Sequence, residues 1–473
     1  MKLSLALSLI ALVPFTVAQD PSNGSQAMSP CLLQCNKEAA TAINCGTFEN
    51  IECTCPSADY VEVLMNCLAA SCTALDVLSM ISNSFSYRNI ANILTDNMAQ
   101  ENHAGKPILY PGETLEAIGG FPTICHYQPP TAGDAISRPL IVCIPGGVHL
   151  ARVFYGGHHG YRQEDFLTHW LSESGFGILS LSYPLDTNPP LMPTTGSAFR
   201  IADWGRQAAL SAQSCIDRHS LSTRSVVLVS WSMGGRMIVQ FNIACKRLGL
   251  DVQQYISLAA TPGISGIRSL QDMSCTAAGY FDITSRIDAF CKQLDAVDKA
   301  NNERNIIPRE IYLREYVGGT PINLIGLRLR YDGQGSFVED EVTHEEDSRV
   351  FDIENTPCPS ALYPTSSLDS GHSLTDKATW GFLLTYKLES MVEKKHLKDL
   401  ESTQKWDKLR ALFHEAPSRM SREVWGNHFF FVGEKGARET AEKIGDLLNE
   451  GVILKSELTS ILSSPETDPE DIL

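Results

Sequence analysis

The sequence predicts an α/β fold with a mostly parallel sheet, preceded by a small disulfide-rich N-terminal module. Three observations predict it. Seven of the 14 cysteines crowd between Cys31 and Cys72. From Pro139 onward, short and wholly apolar runs alternate with segments of helical periodicity. One of the strand–helix junctions carries a serine in a tight glycine-rich turn, Ser230-Trp231-Ser232-Met233-Gly234-Gly235. A chain of 473 residues also exceeds one ordinary core, so two domains are expected.

Hydrophobic residues make up 43% of the chain and charged ones 20%, the balance of a folded globular protein. The formal charge of −17 disfavours a nucleic-acid partner, because binding phosphates requires a basic face. Residues 1–18 read as a signal peptide. Lys2 gives the positive start, Leu3 to Val17 the short apolar stretch, and Thr16-Val17-Ala18 the small-residue cleavage site. That stretch is too short to span a bilayer comfortably, and the acidic end from Ser463 to Leu473 is no lipid-anchor signal. A secreted or secretory-pathway protein without a stable membrane anchor is expected. Asn23-Gly24-Ser25 is a candidate glycosylation acceptor.

Cys31, Cys35, Cys45, Cys53, Cys55, Cys67 and Cys72 are the disulfide candidates of the small module. A segment this short buries too little apolar surface to fold without crosslinks. Zinc is the weaker reading, since Cys53-Thr54-Cys55 is tighter than the usual ligand spacing. Over residues 28–75 this text resembles the CFEM domain, a fungal extracellular module of eight cysteines. The matching residues are Pro30-Cys31, Cys35, Cys45, the Cys53-Thr54-Cys55 pair, Cys67 and Cys72. The resemblance implies haem as a ligand for some members, held by an aspartate just before the Cys-x-Cys pair. Here Thr47-Phe48-Glu49-Asn50-Ile51-Glu52 contains none, and the family's last cysteine is missing. The other seven cysteines, Cys125, Cys143, Cys215, Cys245, Cys275, Cys291 and Cys358, are thinly spread. Several sit in apolar runs as small core residues, a usage more typical of reduced chains.

Residues 76–136 show no strong period and are taken as a linker with one or two lead-in strands. The α/β domain is placed at 137–450, with an acidic tail at 451–473. Leu140 to Ile144, closed by Pro145-Gly146-Gly147, reads as a strand buried on both faces. A helix is predicted over Glu164 to Ser174, a strand over Gly177 to Leu181, and a helix over Arg200 to His219. Ser225 to Val229, Gly235 to Arg247 and Tyr255 to Ala259 continue the alternation as strand, helix and strand. Ile322 to Tyr331 reads as a later strand and Ala437 to Leu448 as the last helix. Residues 264–320 and 333–420 are candidates for an inserted lid that shapes a substrate pocket.

Ser232 lies at the strand–helix turn that exposes a nucleophile above a parallel sheet. Residues two before and two after it must be small; Gly234 complies, and Ser230 stands where glycine is usual. A serine hydroxyl needs a base, and His428 in Trp425-Gly426-Asn427-His428 has an apolar approach, a glycine and a following helix. His414 and His372 are the fallbacks. The orienting acid is assigned to Asp332, which closes the strand ending at Tyr331, with Asp369 in Ser367-Leu368-Asp369-Ser370-Gly371 as competitor. The backbone amides of Met233 and Gly147, with Val148 close behind, are the oxyanion donors. The Gly156-Gly157-His158-His159-Gly160 loop is read as bordering the pocket or simply solvated. No metal and no cofactor are expected.

These residues resemble the α/β-hydrolase superfamily, especially fungal members with a serine on a G-W-S-M-G-G-like turn. The resemblance covers most of 137–450 and implies an α/β-hydrolase fold with an inserted lid. It further implies a serine esterase or thioesterase acting on a small-molecule acyl substrate. The alternative is a haem-binding or surface-interaction CFEM protein carrying a non-catalytic hydrolase-like domain.

Overall fold

The computed structural model describes residues 30–42, positions 47, 63 and 67, and residues 108–463. Within the last range it omits 132–137, 194, 196–197, 266, 268–274, 277, 282, 326–328, 332–336, 393–399 and 401–403. The expected signal peptide and Asn23 therefore fall outside the described residues, as do Cys45, Cys53, Cys55 and Cys72. The chain divides into two compact units, residues 1–106 and 107–473. In the first, a helix over Pro30–Ala42 buries Cys35, Ala39 and Ala40, and Cys35 is joined to Cys67 by a disulfide.

The second unit is built on one eight-stranded sheet. Its strands are β1 (Glu113–Ile118), β2 (Phe121–Gln128), β3 (Leu140–Ile144), β4 (Ile178–Ser182), β5 (Ser225–Trp231), β6 (Asp251–Leu258), β7 (Pro359–Pro364) and β8 (Ser421–Val424). Their order is β1-β2-β4-β3-β5-β6-β7-β8. β2 is antiparallel to β1 and β4, and every other neighbouring pair is parallel. An antiparallel hairpin leading into a parallel sheet whose third and fourth strands exchange places is the α/β-hydrolase topology. The lead-in strands thus belong to the sheet.

Period-two alternation divides the central strands between two cores. Leu140, Val142, Ile144, Val226 and Leu228 join one cluster, and Ile141, Cys143, Val227, Val229 and Trp231 the other. The first is covered by α2 (Ile201–Arg218) and α3 (Ile238–Arg247) through Ala208, Ala212, Ile216, Phe241 and Cys245. The second is covered by α1 (Leu167–Glu173) and α8 (Glu434–Ser463) through Leu167, Leu171, Ala441, Ile444 and Leu447. Six of the seven scattered cysteines are buried and all seven are unpaired. Apolar packing accounts for them.

Three sequence expectations need correction here. Ile322 to Tyr331 is no strand of the main sheet. It is a short 3-10 turn, Ile322–Leu324, followed by Leu329–Tyr331, which among the described residues pairs only with Phe337–Glu339. The penultimate strand is instead β7, Pro-Ser-Ala-Leu-Tyr-Pro, whose two prolines mask its strand character; both sit at its ends, where a missing N–H is tolerated. The second lid range also shrinks, because β7, α6 (Ser370–Ser390) and α7 (Gln404–Arg419) are parts of the core. The inserted segment is residues 259–358, carrying α4 (Thr284–Ala300) and α5 (Glu341–Ser348). Finally, α8 does not stop at 448: Leu454 and Leu458 pack with Leu384, Leu388, Leu409 and Leu412, so the tail begins later than 451.

One buried ion pair ties the lead-in hairpin to the body. The Glu113 carboxylate accepts from Arg152 Nε and Nη2, both at 2.7 Å, and from the Tyr155 hydroxyl at 2.6 Å. Arg152 also donates to the carbonyls of Ile108 and Glu315. Both charged side chains are essentially inaccessible, at 1% and 0% exposure, so removing either strands its partner at a cost of about 3–5 kcal/mol. Among the described residues no helix is long and apolar enough to cross a membrane.

Candidate active site

The parallel strands β3, β5, β7 and β8 end on one edge of the sheet, the edge where ligands bind in open α/β folds. β5 runs directly into a 3-10 turn, Ser232–Met237, and Ser232 opens that turn with φ of 53°. A left-handed serine is strained by about 1–2 kcal/mol, a price in backbone energy that the surrounding packing must sustain. It lifts the side chain off the strand axis and leaves Ser232 half-buried while its neighbours on both sides are buried.

The small residues the turn requires are in place. A methyl group on Gly234 would stand 3.0 Å from the Ser230 Cβ and 3.1 Å from the Pro145 carbonyl oxygen. On Gly146 it would meet the Ser232 Cβ at 2.7 Å, so only glycine lets the end of β3 approach the turn. The serine at position 230 is accommodated because its hydroxyl has its own partner, the Tyr255 hydroxyl on β6 at 2.9 Å. The loop after β6 is fastened to the turn by the Thr261 amide, which donates to the Ser232 carbonyl at 2.9 Å.

His428 follows β8 and is 7% exposed. Its Nδ1–H donates to Asp369 Oδ2 at 2.7 Å, fixing the tautomer so that Nε2 carries the lone pair. Asp369 stands in the loop after β7, immediately before α6. The loops after β7 and β8 are stitched by backbone bonds: the amides of Thr365 and Ser366 both donate to the Gly426 carbonyl, at 3.2 and 2.9 Å. Asp332, the acid expected from sequence, lies outside the described residues; the carboxylate at His428 is its competitor.

The serine turn and the histidine loop are locked to each other. Trp231 Nε1–H donates to the His428 carbonyl at 3.0 Å, and the two rings lie 4.9 Å apart. The inserted segment adds a brace that no sequence motif announced. Gln293 on α4 accepts the His428 amide through its side chain at 3.0 Å and the Asn427 side-chain amide through its carbonyl at 2.8 Å. The sequence marks this stretch only as part of a candidate lid; a glutamine reaching across 135 residues leaves no local pattern.

Burial lowers the His428 pKa from its ordinary value, and the Asp369 carboxylate offsets part of that shift. The proton that would disable it as a base is therefore bound only on the acid side of 6.5, the ordinary histidine value. A reaction that uses His428 as its base should lose rate only below pH 6.5, and Asp369→Asn, which removes a raising influence, should move that limb lower still. A pH–rate profile checks this; a limb centred above 7 would contradict it.

Of the two candidate loop amides, Val148 N–H is already committed to the Thr320 hydroxyl at 2.6 Å. Gly147 is half-buried, and a Cβ built on it would lie 3.5 Å from Met233 Sδ, so the two expected oxyanion residues are adjacent. His149 holds this loop from behind. Its Nδ1–H donates to the Gly147 carbonyl at 2.7 Å, so Nε2 accepts from the Tyr312 hydroxyl at 2.8 Å. Burial pushes its pKa down to about 3, which keeps it neutral.

The fallback histidines separate. His372 lies in the first turn of α6 with its ring stacked 5.1 Å from that of His428, whereas His414 lines a groove between α6 and α7. His158 is not solvated as the glycine-rich loop suggested: it is buried and bonded to the Tyr316 hydroxyl at 2.6 Å, leaving only His159 exposed.

Comparison with known proteins adds a domain and a set of similar structures. The chain carries a CFEM domain, matched over residues 24–86. Among solved structures it is similar to a hyperthermophilic esterase from the archaeon Pyrobaculum calidifontis, at 13% identity over 78% of this chain and 89% of the other, with a TM-score of 0.37. It is also similar to the thioesterase domain from the curacin biosynthetic pathway, at 12% identity over 70% of this chain and 98% of the other, TM-score 0.33. A third is a thermophilic esterase from Thermogutta terrifontis, at 9% identity over 72% and 98%, TM-score 0.35. No curated protein matches.

Proposed function

We propose that this chain is a secreted serine hydrolase that cleaves a small-molecule ester or thioester through an acyl-enzyme. The observation that carries the reading is the strained Ser232 at the end of β5, sharing a sheet edge with the 2.7 Å His428–Asp369 pair. Ser232 Oγ attacks the acyl carbon as its proton passes to His428 Nε2. Asp369 accepts the Nδ1–H and stabilises the imidazolium that forms. The carbonyl oxygen, now an oxyanion, is received by the amides of Gly147 and Met233. His428 returns the proton to the departing alcohol or thiol, and water repeats the sequence on the acyl-enzyme.

Asp369 takes the role first given to Asp332, because its carboxylate is the one bonded to the imidazole. Secretion is supported by residues 1–18, by the CFEM domain and by the Cys35–Cys67 disulfide. A fluorophosphonate probe tests the mechanism. It should label the intact protein on the peptide containing Ser232 and leave Ser232→Ala unlabelled; equal labelling of that variant would remove the proposal.

A further inference from the structure

We propose that Asp369, His372 and His428 together form a zinc-type divalent-metal site whose occupation switches off the catalytic base. The switching rests on the serine-hydrolase reading; the binding does not. A carboxylate oxygen of Asp369 and one ring nitrogen from each histidine lie within 4.8 Å of one another. Zinc bonds of about 2.0–2.2 Å bring tetrahedral ligands to about 3.4 Å, so closing the cluster takes side-chain rotation of about an ångström. Two imidazoles and one carboxylate are the donor set that zinc takes when a fourth position stays open to water. The nitrogen donors select it over calcium and magnesium, which prefer oxygen.

The fold supplies this arrangement through one helix end. Asp369 precedes α6 and His372 lies three residues on, so both stand on the same side of its first turn. Asp376, four residues further, turns both carboxylate oxygens to His372 Nδ1 at 2.9 and 3.0 Å. That contact directs the Nε2 of His372 toward ligation, and such an outer carboxylate is the partner that metal-binding histidines usually carry. Acyl transfer uses neither His372 nor Asp376. Yet both are buried, and an ion-paired or polar couple of this kind is commonly replaceable by apolar residues at little cost in stability.

Occupation removes the base. The metal takes His428 Nδ1, the nitrogen that faces Asp369, and the proton formerly donated to that carboxylate moves to Nε2, which then has nothing to accept with. Charge and protons balance, and Ser232 loses its activator.

Full-length Ser232→Ala retains all three donors and separates binding from catalysis. Calorimetric titration with Zn2+ should show an equivalent that the additional His372→Ala change weakens at least about tenfold. In the active protein, Zn2+ should inhibit hydrolysis of a p-nitrophenyl ester and a chelator should restore it. Asp376→Asn should raise the half-inhibiting concentration by about 10–100-fold. Should His372→Ala fail to fold by circular dichroism, Asp376→Asn decides the matter by the same isotherm. Identical Zn2+ isotherms with and without these changes would overturn the site. Inhibition that ignores both changes would overturn the switch. Undiminished hydrolysis by Ser232→Ala would instead defeat the serine mechanism while leaving the isotherms to judge the metal.

Discussion

Ser232→Ala should lower kcat/KM toward an activated ester by about 10⁴- to 10⁶-fold, the loss seen when a nucleophile is deleted from a catalytic triad. The same position offers a second readout that no ordinary surface serine gives. Its φ of 53° strains any residue with a Cβ, so alanine keeps the strain and glycine releases it. Ser232→Gly should be equally inactive but unfold with about 1 kcal/mol more free energy than Ser232→Ala, after allowing for the greater freedom of an unfolded glycine. Steady-state kinetics and denaturant titration of the two variants check both halves. An active alanine variant would end the mechanism; equal stabilities would deny the backbone strain.

The second large effect falls on the acid. Asp369→Asn should cut kcat by about 10³- to 10⁴-fold, because an amide can hold His428 in the wrong tautomer and cannot stabilise the imidazolium. Asp332→Asn should leave kcat near that of the unaltered protein. The two variants assayed side by side distinguish the carboxylates, and the opposite ranking would return the role to Asp332.

Much of this domain was legible because its central strands are buried on both faces. Leu140 to Ile144 and Ser225 to Val229 read as continuous apolar runs, and the glycine-bearing turn after the second marks the serine without any long-range information. The histidine proposed as the base stands out for a similar local reason, Gly426 and the helix that follows. The carboxylate bonded to it, Asp369, stands out less than Asp332. Its strand is framed by prolines and lies beyond a segment of inserted structure, so the apolar run ending at Tyr331 presented the better local imitation of a penultimate strand. The bonds that settle the geometry, Gln293 to His428 and Trp231 to the His428 carbonyl, join residues 135 and 197 apart. Local periodicity carries no trace of contacts at such separations.

The Glu113–Arg152 couple sets where the unit built on the eight-stranded sheet can be severed from what precedes it. A polypeptide beginning at residue 137, where the alternating pattern becomes obvious, would keep the guanidinium sealed inside and discard the carboxylate that pairs with it, together with the Ile108 carbonyl. Arg152 belongs to the turn that follows the Gly147 loop, so the injury would be delivered next to the amides proposed to receive an oxyanion. Autonomy of the hydrolase half thus starts no later than residue 108, inside what the sequence presents as mere tether.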